Sequence, residues 1–152
     1  MLRCLRFGAV LCCAMALSVA RVGAASSEPA PDPTGTWLTA NGHGVVQIEA
    51  CGEALCGRIV GIDRVPGEPM PTDVEGRPQC GLTIITNERP ASSARWLGWI
   101  TDPRDGRTYR AELWVNKSGN LNLRGFIGVP LLGETQVWHR FTGHLTADCG
   151  LA

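Results

Sequence analysis

The chain has 152 residues, of which 44% are hydrophobic, with 14 basic and 14 acidic side chains. This length provides one core and excludes a large multidomain protein, and the balanced charge excludes the strongly basic composition of most nucleic-acid-binding proteins.

The first 24 residues have the features of a secretory signal peptide. Arg3 and Arg6 precede the apolar run FGAVLCCAMALSVA, and small residues ending at Ala24 provide a cleavage site before the polar SSEPAPDP. A membrane anchor is the alternative, but the run is shorter than the roughly 18 residues that a spanning helix needs. Lipid attachment at Cys12 or Cys13 is a further alternative. We expect cleavage, and therefore a periplasmic or secreted protein with no stable membrane span.

Cleavage would change both the charge and the cysteine count. The leader holds 3 of the 14 basic residues and none of the 14 acidic ones, which leaves 11 − 14 = −3. We therefore expect no basic face for nucleic acid. Three of the seven cysteines also leave with the leader, and an oxidising compartment favours disulfides between those that remain: Cys51, Cys56, Cys80 and Cys149.

The rest of the chain has a β pattern. Residues 25–33 are a polar, proline-rich lead that we expect to be disordered, and residues 34–152 are predicted to form a single domain. In residues 108–115, Tyr109, Ala111 and Leu113 alternate with polar residues, which is typical of a half-buried strand. The alternation, interrupted by turn sequences such as NGHG and NKSGN, predicts eight strands: 34–40, 45–50, 55–62, 82–86, 95–101, 108–115, 121–127 and 135–141.

Eight short strands with tight turns predict an all-β fold. The strands are expected to form an antiparallel meander that closes into a small barrel, because closure removes the exposed edges. The long connection at residues 63–81 is interpreted as a lid or a poorly ordered flap. The apolar segment GFIGVPLLG, residues 125–133, is predicted to be tucked into the barrel end, and exposure for contact is the alternative. The predicted core is Trp37, Val46, Ile48, Ile59, Leu82, Ile84, Tyr109, Leu113, Leu121 and Leu123.

Two resemblances agree with a barrel. Gly35-Thr36-Trp37 near the start and WHR at residues 138–140 resemble lipocalin-like barrels, in which a Gly-x-Trp indole plugs the closed end beneath an arginine. Over almost all of the mature chain, the segments GTWLTANGHGVVQIEACGEALCGRIV, TDPRDGRTYRAEL and LNLRGFIGVPLLGETQVWHR resemble the bacterial family named domain of unknown function 2147. That resemblance implies a small exported protein in which Cys-x4-Cys-Gly recurs, and it implies no particular reaction.

The four remaining cysteines are interpreted as two disulfides. Cys51 and Cys56 flank a predicted four-residue hairpin loop, where facing positions have Cα separations of about 4.5 to 5.5 Å, which suits a disulfide. The alternatives are a redox pair, which usually precedes a helix, and a zinc site, which needs a second ligand pair. For Cys80 and Cys149 a second bridge is favoured, and a free reactive thiol is the alternative.

No group of residues forms a catalytic motif. His139 lies in a predicted strand, His43 lies in a glycine-rich turn, and no serine has a Gly-x-Ser-x-Gly context. We predict no catalytic residue, metal or cofactor, and an enzyme is the third hypothesis. The first is a small hydrophobic or amphipathic ligand held in the barrel mouth, with Trp99, Tyr109 and Arg124 as candidate ligand-binding residues. The alternative is a structural or protein-interaction module of the envelope with a filled barrel.

Overall fold

Eight antiparallel strands form a closed barrel in the computed structural model, which describes residues 31–92 and 94–152. Each strand pairs with its neighbours in chain order, and the first closes the barrel against the last. The predicted all-β closed meander is confirmed. The predicted signal peptide, residues 1–24, lies outside the described residues. The strands are β1 (Gly35–Leu38), β2 (Gly44–Cys51), β3 (Ala54–Ile62), β4 (Thr83–Ser92), β5 (Arg95–Thr101), β6 (Thr108–Val115), β7 (Leu121–Phe126) and β8 (Glu134–Arg140).

The fourth strand differs most from its prediction, since it continues to Ser92 instead of ending at residue 86. A β-bulge explains the difference. Thr86 pairs with Trp99 and Arg89 pairs with Leu97, so two residues of β4 oppose one residue of β5. The bulge shifts the alternation of apolar and polar residues, and the polar sequence NER then looks like a turn.

The core fills one half of the barrel. Eight of the ten predicted core residues are buried, while Leu82 and Tyr109 are half-buried. The tryptophan of the last strand, Trp138, is 2% exposed and joins the same cluster. The side chains that are almost completely enclosed include Trp37, Ile48, Leu113 and Leu121.

The end of the barrel occupied by Trp37 is sealed, and we call it the closed end. The indole N–H of Trp37 donates to the carbonyl oxygen of Pro33 at 2.8 Å, and the Arg140 guanidinium lies 3.8 Å from the ring centroid. Arg140 also donates to the carbonyl oxygens of Asp32 and Thr34. Contact with the barrel therefore begins inside the predicted disordered lead, because the buried Trp37 indole and the exposed Arg140 guanidinium both donate to carbonyl oxygens of residues 32–34.

Both predicted disulfides are present. Cys51–Cys56, the hairpin bridge, joins β2 to β3, and Cys80–Cys149, the tail bridge, joins the long connection to the C-terminal tail. The predicted geometry of the hairpin was wrong. Its loop has two residues instead of four, because Cys51 pairs with Ala54 in the ladder. The hairpin bridge therefore joins diagonal positions, with a Cα separation of 5.8 Å that still suits a disulfide.

The C-terminal tail covers the outside of the barrel wall. Val45 and Gly61 pair across β2 and β3, and a Cβ on Gly61 would lie 2.5 Å from Leu145 of the tail. The backbone N–H of Ile62 donates to the carbonyl oxygen of Cys149 at 2.7 Å. The tail bridge thus fixes the long connection and the tail to the same edge of the wall.

Candidate functional site

A cavity of 680 Å³ opens at the end opposite the closed end. We call it the mouth cavity, and we call the end formed by residues 39–43, 63–82, 102–107 and 127–133 the mouth. Alternate residues of successive strands point inward and supply an aliphatic lining. The cavity lies above the packed core, so the barrel is half filled and half open. The apolar lining residues include Val46, Ile59, Ile62, Ile84, Ile100 and Leu123.

The rim of the mouth cavity is polar. His43 Nδ1 lies 2.9 Å from Asp63 Oδ2, and this contact joins the loop at residues 39–43 to the residue that follows β3. Arg104 donates to Asp102 at 2.6 and 3.0 Å, and this pairing holds the pKa of the Asp102 carboxyl below its usual range. Glu134 also lies in the lining. The mouth therefore combines an aliphatic interior with charged and hydrogen-bonding groups at its entrance.

The long connection at residues 63–82 forms one side of the mouth. Asp73, which is 7% exposed, accepts hydrogen bonds from the backbone N–H groups of Glu75 and Arg77 and from Arg77 Nε at 2.7 Å. Burial would raise the pKa of Asp73, but the hydrogen bonds from Arg77 outweigh it and lower the pKa. Met70 packs against the core. The connection is therefore a folded cover with its own polar centre.

The three residues predicted to bind a ligand lie in different places. Tyr109 lines the mouth cavity. Trp99 is 41% exposed on the outer face of the wall, where the Arg110 guanidinium lies 4.8 Å from its ring centroid. Arg124 donates to Pro130 O at 2.6 Å, Leu131 O at 3.2 Å and Thr135 Oγ1 at 2.7 Å. The structure thus places only Tyr109 of the three among the residues that line the cavity.

Sequence reasoning missed most of the lining residues. Ile59 and Ile84, predicted as core residues, also line the cavity, and Asp102 follows the predicted strand at residues 95–101 without being a candidate site residue. The alternation along β3 and β5 identifies Ile59 and Ile100 as inward-facing, but sequence does not tell which inward positions meet a packed partner and which meet open space. His43 and Asp63 come together only because β3 ends beside the loop that precedes β2.

The apolar segment between β7 and β8 was predicted to be tucked into the barrel, and this prediction was wrong. Its side chains are exposed: 73% for Ile127, 53% for Val129, 85% for Leu131 and 80% for Leu132. Its 3-10 turn, Pro130–Leu132, contains no buried residue, and the segment projects from the mouth. We call residues 127–132 the apolar tip.

A buried carboxyl group lies in the wall at the bulge of β4. Glu88 is 0% exposed and pairs in register with Leu55, and neither carboxyl oxygen has a hydrogen-bond partner within the described residues. Burial raises the pKa of Glu88 to about 8, while the charge of Arg110 opposes the rise and that of Glu112 adds to it. Glu88 is therefore mostly neutral at pH 7.

Within residues 31–92 and 94–152, no cluster of three or more His, Cys, Asp or Glu side chains is arranged to hold a metal ion. In the same residues, no helix combines the length and apolar character needed to cross a bilayer.

A closed eight-stranded antiparallel barrel, sealed by Gly-x-Trp beneath an arginine and open at the other end, defines a lipocalin-like protein. The similarity extends to a solved structure, HP1028 from Helicobacter pylori, described as belonging to the lipocalin family. The TM-score is 0.63 at 16% identity, and the match covers 73% of this chain and 84% of that one. Residues 35–140 match the family described as "Uncharacterized protein conserved in bacteria (DUF2147)", and the chain therefore belongs to this family. No curated protein matches the sequence.

Proposed function

We propose that the protein binds a small hydrophobic or amphipathic molecule in the mouth cavity, as a periplasmic or secreted protein of the cell envelope. The observation that carries this proposal is the aliphatic cavity of 680 Å³ with a polar rim. Ligand pockets are typically about 300 to 1,000 Å³ with a mostly apolar lining, and eight-stranded barrels can hold one small ligand. The two disulfides support an oxidising compartment.

The charge of the rim favours one kind of polar group on the ligand. The lining contains the carboxylates Asp63, Asp102 and Glu134 and one guanidinium, Arg104, a formal charge of 1 − 3 = −2 with His43 neutral. Arg104 is already paired with Asp102. An anionic headgroup would meet uncompensated negative charge there. We therefore expect the cavity to prefer a neutral or cationic amphiphile over a fatty-acid anion of equal chain length.

The proposal is tested by filling the cavity. Ile100 is half-buried in the lining, so Ile100→Trp adds volume where the apolar part of a ligand would lie. Titration with an environment-sensitive apolar fluorophore should give saturable binding to the natural chain and at least tenfold weaker binding to the variant. Val137→Trp adds the same side chain on the exposed outer wall and should bind like the natural chain. Equal binding by both variants would contradict the proposal, and absence of binding would favour the interaction module with function on its loops.

The expected headgroup preference has its own test. Glu134→Lys changes the formal charge of the lining from −2 to 0, and Glu53→Lys makes the same change in the hairpin at the closed end. Competition by dodecyltrimethylammonium should weaken about three- to tenfold relative to dodecanoate in the first variant, as expected for a two-unit change of charge near a wet, screened rim. The second variant should leave the ratio unchanged. A preference for dodecanoate in the natural chain would contradict the charge argument.

A further inference from the structure

The apolar tip is a continuous exposed aliphatic surface at the mouth. Four large aliphatic side chains within six residues are 53 to 85% exposed: Ile127, Val129, Leu131 and Leu132. Between Arg124 and Glu134 the sequence has no charged residue. Single exposed apolar residues are normal on protein surfaces, whereas a contiguous group of this kind marks an interaction site.

The tip is held in one conformation. Residues Pro130–Leu132 form a 3-10 turn, and the Arg124 guanidinium donates to the carbonyl oxygens of Pro130 and Leu131. The same guanidinium donates to Thr135 Oγ1 and so ties the turn to the start of β8. Because these bonds fix the loop backbone, little conformational entropy is lost when the tip binds. The exposed leucines are thus presented by an ordered projection.

The shape and chemistry of the tip fit a lipid bilayer. Protein interfaces combine an apolar centre with a polar rim and about one hydrogen bond per 100–200 Å², but every side chain of residues 127–132 is apolar or glycine. The tip is a projection and offers no groove for a peptide. A convex aliphatic element inserts readily at the boundary between headgroups and acyl chains, where the fluid phase adapts to its shape.

The position of the tip connects it with the mouth cavity. Gly125 and Glu134, at its two ends, both line the cavity. Val65 and Val74 of the long connection, at the same mouth, are 62% and 59% exposed. A molecule that suits an aliphatic cavity is also more soluble in a bilayer than in water. A bilayer in contact with the tip would therefore adjoin the entrance through which such a molecule passes.

We propose that the apolar tip docks the mouth of the barrel onto a lipid bilayer, from which the mouth cavity takes up its ligand or to which it delivers it. The docking step stands on the tip alone, and the transfer step rests on the proposed function. The rim is net negative, so docking depends on aliphatic insertion and not on anionic lipid. We expect binding to vesicles of pure phosphatidylcholine, with little change when anionic lipid is added or when salt is raised.

Docking is tested by flotation of the natural chain with phosphatidylcholine vesicles. Burial of one leucine side chain changes a partition coefficient by about tenfold or more, so Leu131→Ser should reduce vesicle binding about tenfold and Leu131→Ser/Leu132→Ser about a hundredfold. The control is Val137→Ser, an exposed aliphatic position on the side of the barrel. It should bind vesicles like the natural chain.

The outcomes separate docking from ligand binding. In solution, the double serine variant should bind the apolar fluorophore like the natural chain, but it should accept the fluorophore from labelled vesicles at least tenfold more slowly. If the natural chain does not float with vesicles, the docking inference is overturned while solution binding still supports the cavity. The natural chain could instead be a dimer that does not float with vesicles, while the double serine variant is a monomer. That result would assign the tip to contact with a second copy of the chain and would also overturn the docking inference. Flotation without fluorophore binding overturns the transfer step and the proposed function.

Discussion

Replacement of Glu88 by glutamine should stabilise the protein by an amount that grows with pH. In the folded state the pKa of Glu88 is raised from 4.5 to about 8 by burial. Between these two pH values the unfolded chain releases the proton while the folded chain retains it. The folded state then binds more protons, so the free energy of unfolding falls as pH rises. Glutamine has nearly the same shape and does not titrate, which removes this dependence.

The magnitude follows from the two pKa values. Each pKa unit corresponds to about 1.4 kcal/mol, so the natural chain should lose about 4 kcal/mol relative to Glu88→Gln between pH 4.5 and pH 8. The free energy of unfolding of the natural chain, relative to Glu88→Gln, falls by about 1.4 kcal/mol per pH unit in the middle of this range. Arg110 and Glu112 are the charged groups that act on Glu88, and their effects oppose each other. Burial therefore remains the main cause.

The assay is urea unfolding of both proteins at a series of pH values, followed by tryptophan fluorescence. The difference between the two free energies of unfolding cancels the titration of every other group. Glu53→Gln is the matched control, because the Glu53 side chain is 92% exposed and its difference from the natural chain should be independent of pH. Parallel curves for Glu88→Gln and the natural chain would refute the reasoning, since they would mean that Glu88 has an ordinary pKa in the folded state.

Three further predictions concern the wall, the bridges and the closed end. Replacing both cysteines of the tail bridge by serine should lower the free energy of unfolding by about 4 kcal/mol, and the same change in the hairpin bridge by about 2 kcal/mol, because the tail bridge closes the longer loop. Urea unfolding without reductant measures both losses. Equal losses would contradict the relation between loop length and stabilisation. Gly98→Ala should cost about 3 kcal/mol because its Cβ would lie 2.6 Å from a backbone oxygen of the bulge, whereas Gly125→Ala, with its nearest neighbour at 3.9 Å, should cost less than about 1 kcal/mol. Arg140→Met should lower the free energy of unfolding by about 3 kcal/mol in the same assay, because two charge-assisted hydrogen bonds and the stacking on Trp37 are lost. An unchanged midpoint of urea unfolding would show that the seal does not depend on the guanidinium.

The strands and the closed end could be predicted from sequence because they depend on local pattern. Alternating side chains in β6 define its inner face, and Gly35 is explained by its positive φ and by a Cβ that would overlap the Arg140 guanidinium. Alternation also places Trp96 and Trp99 on opposite faces. It does not say which face is inside, and the structure shows that Trp96 packs on the core while Trp99 faces outward.

The features that could not be predicted depend on how side chains fill the available space, and not on the pattern of residues along the chain. In the bulge at Asn87 and Glu88, Asn87 adopts a φ of 53° opposite Gly98, and the sequence NER does not predict this conformation. The apolar tip was expected inside because apolar composition favours burial. The structure leaves these side chains exposed at the mouth, which composition alone does not predict. The mouth cavity likewise results from the sizes of many side chains taken together.

The half-filled barrel separates folding from binding along its axis. At the closed end Trp37, Leu113 and Trp138 are almost completely buried, and each mouth loop joins strands that this end already holds in place. Substitutions at the mouth can therefore alter what enters the cavity at little cost to the fold. A chain of this kind can acquire a new ligand by changes in its loops alone, while the tryptophan seal keeps the same barrel beneath them.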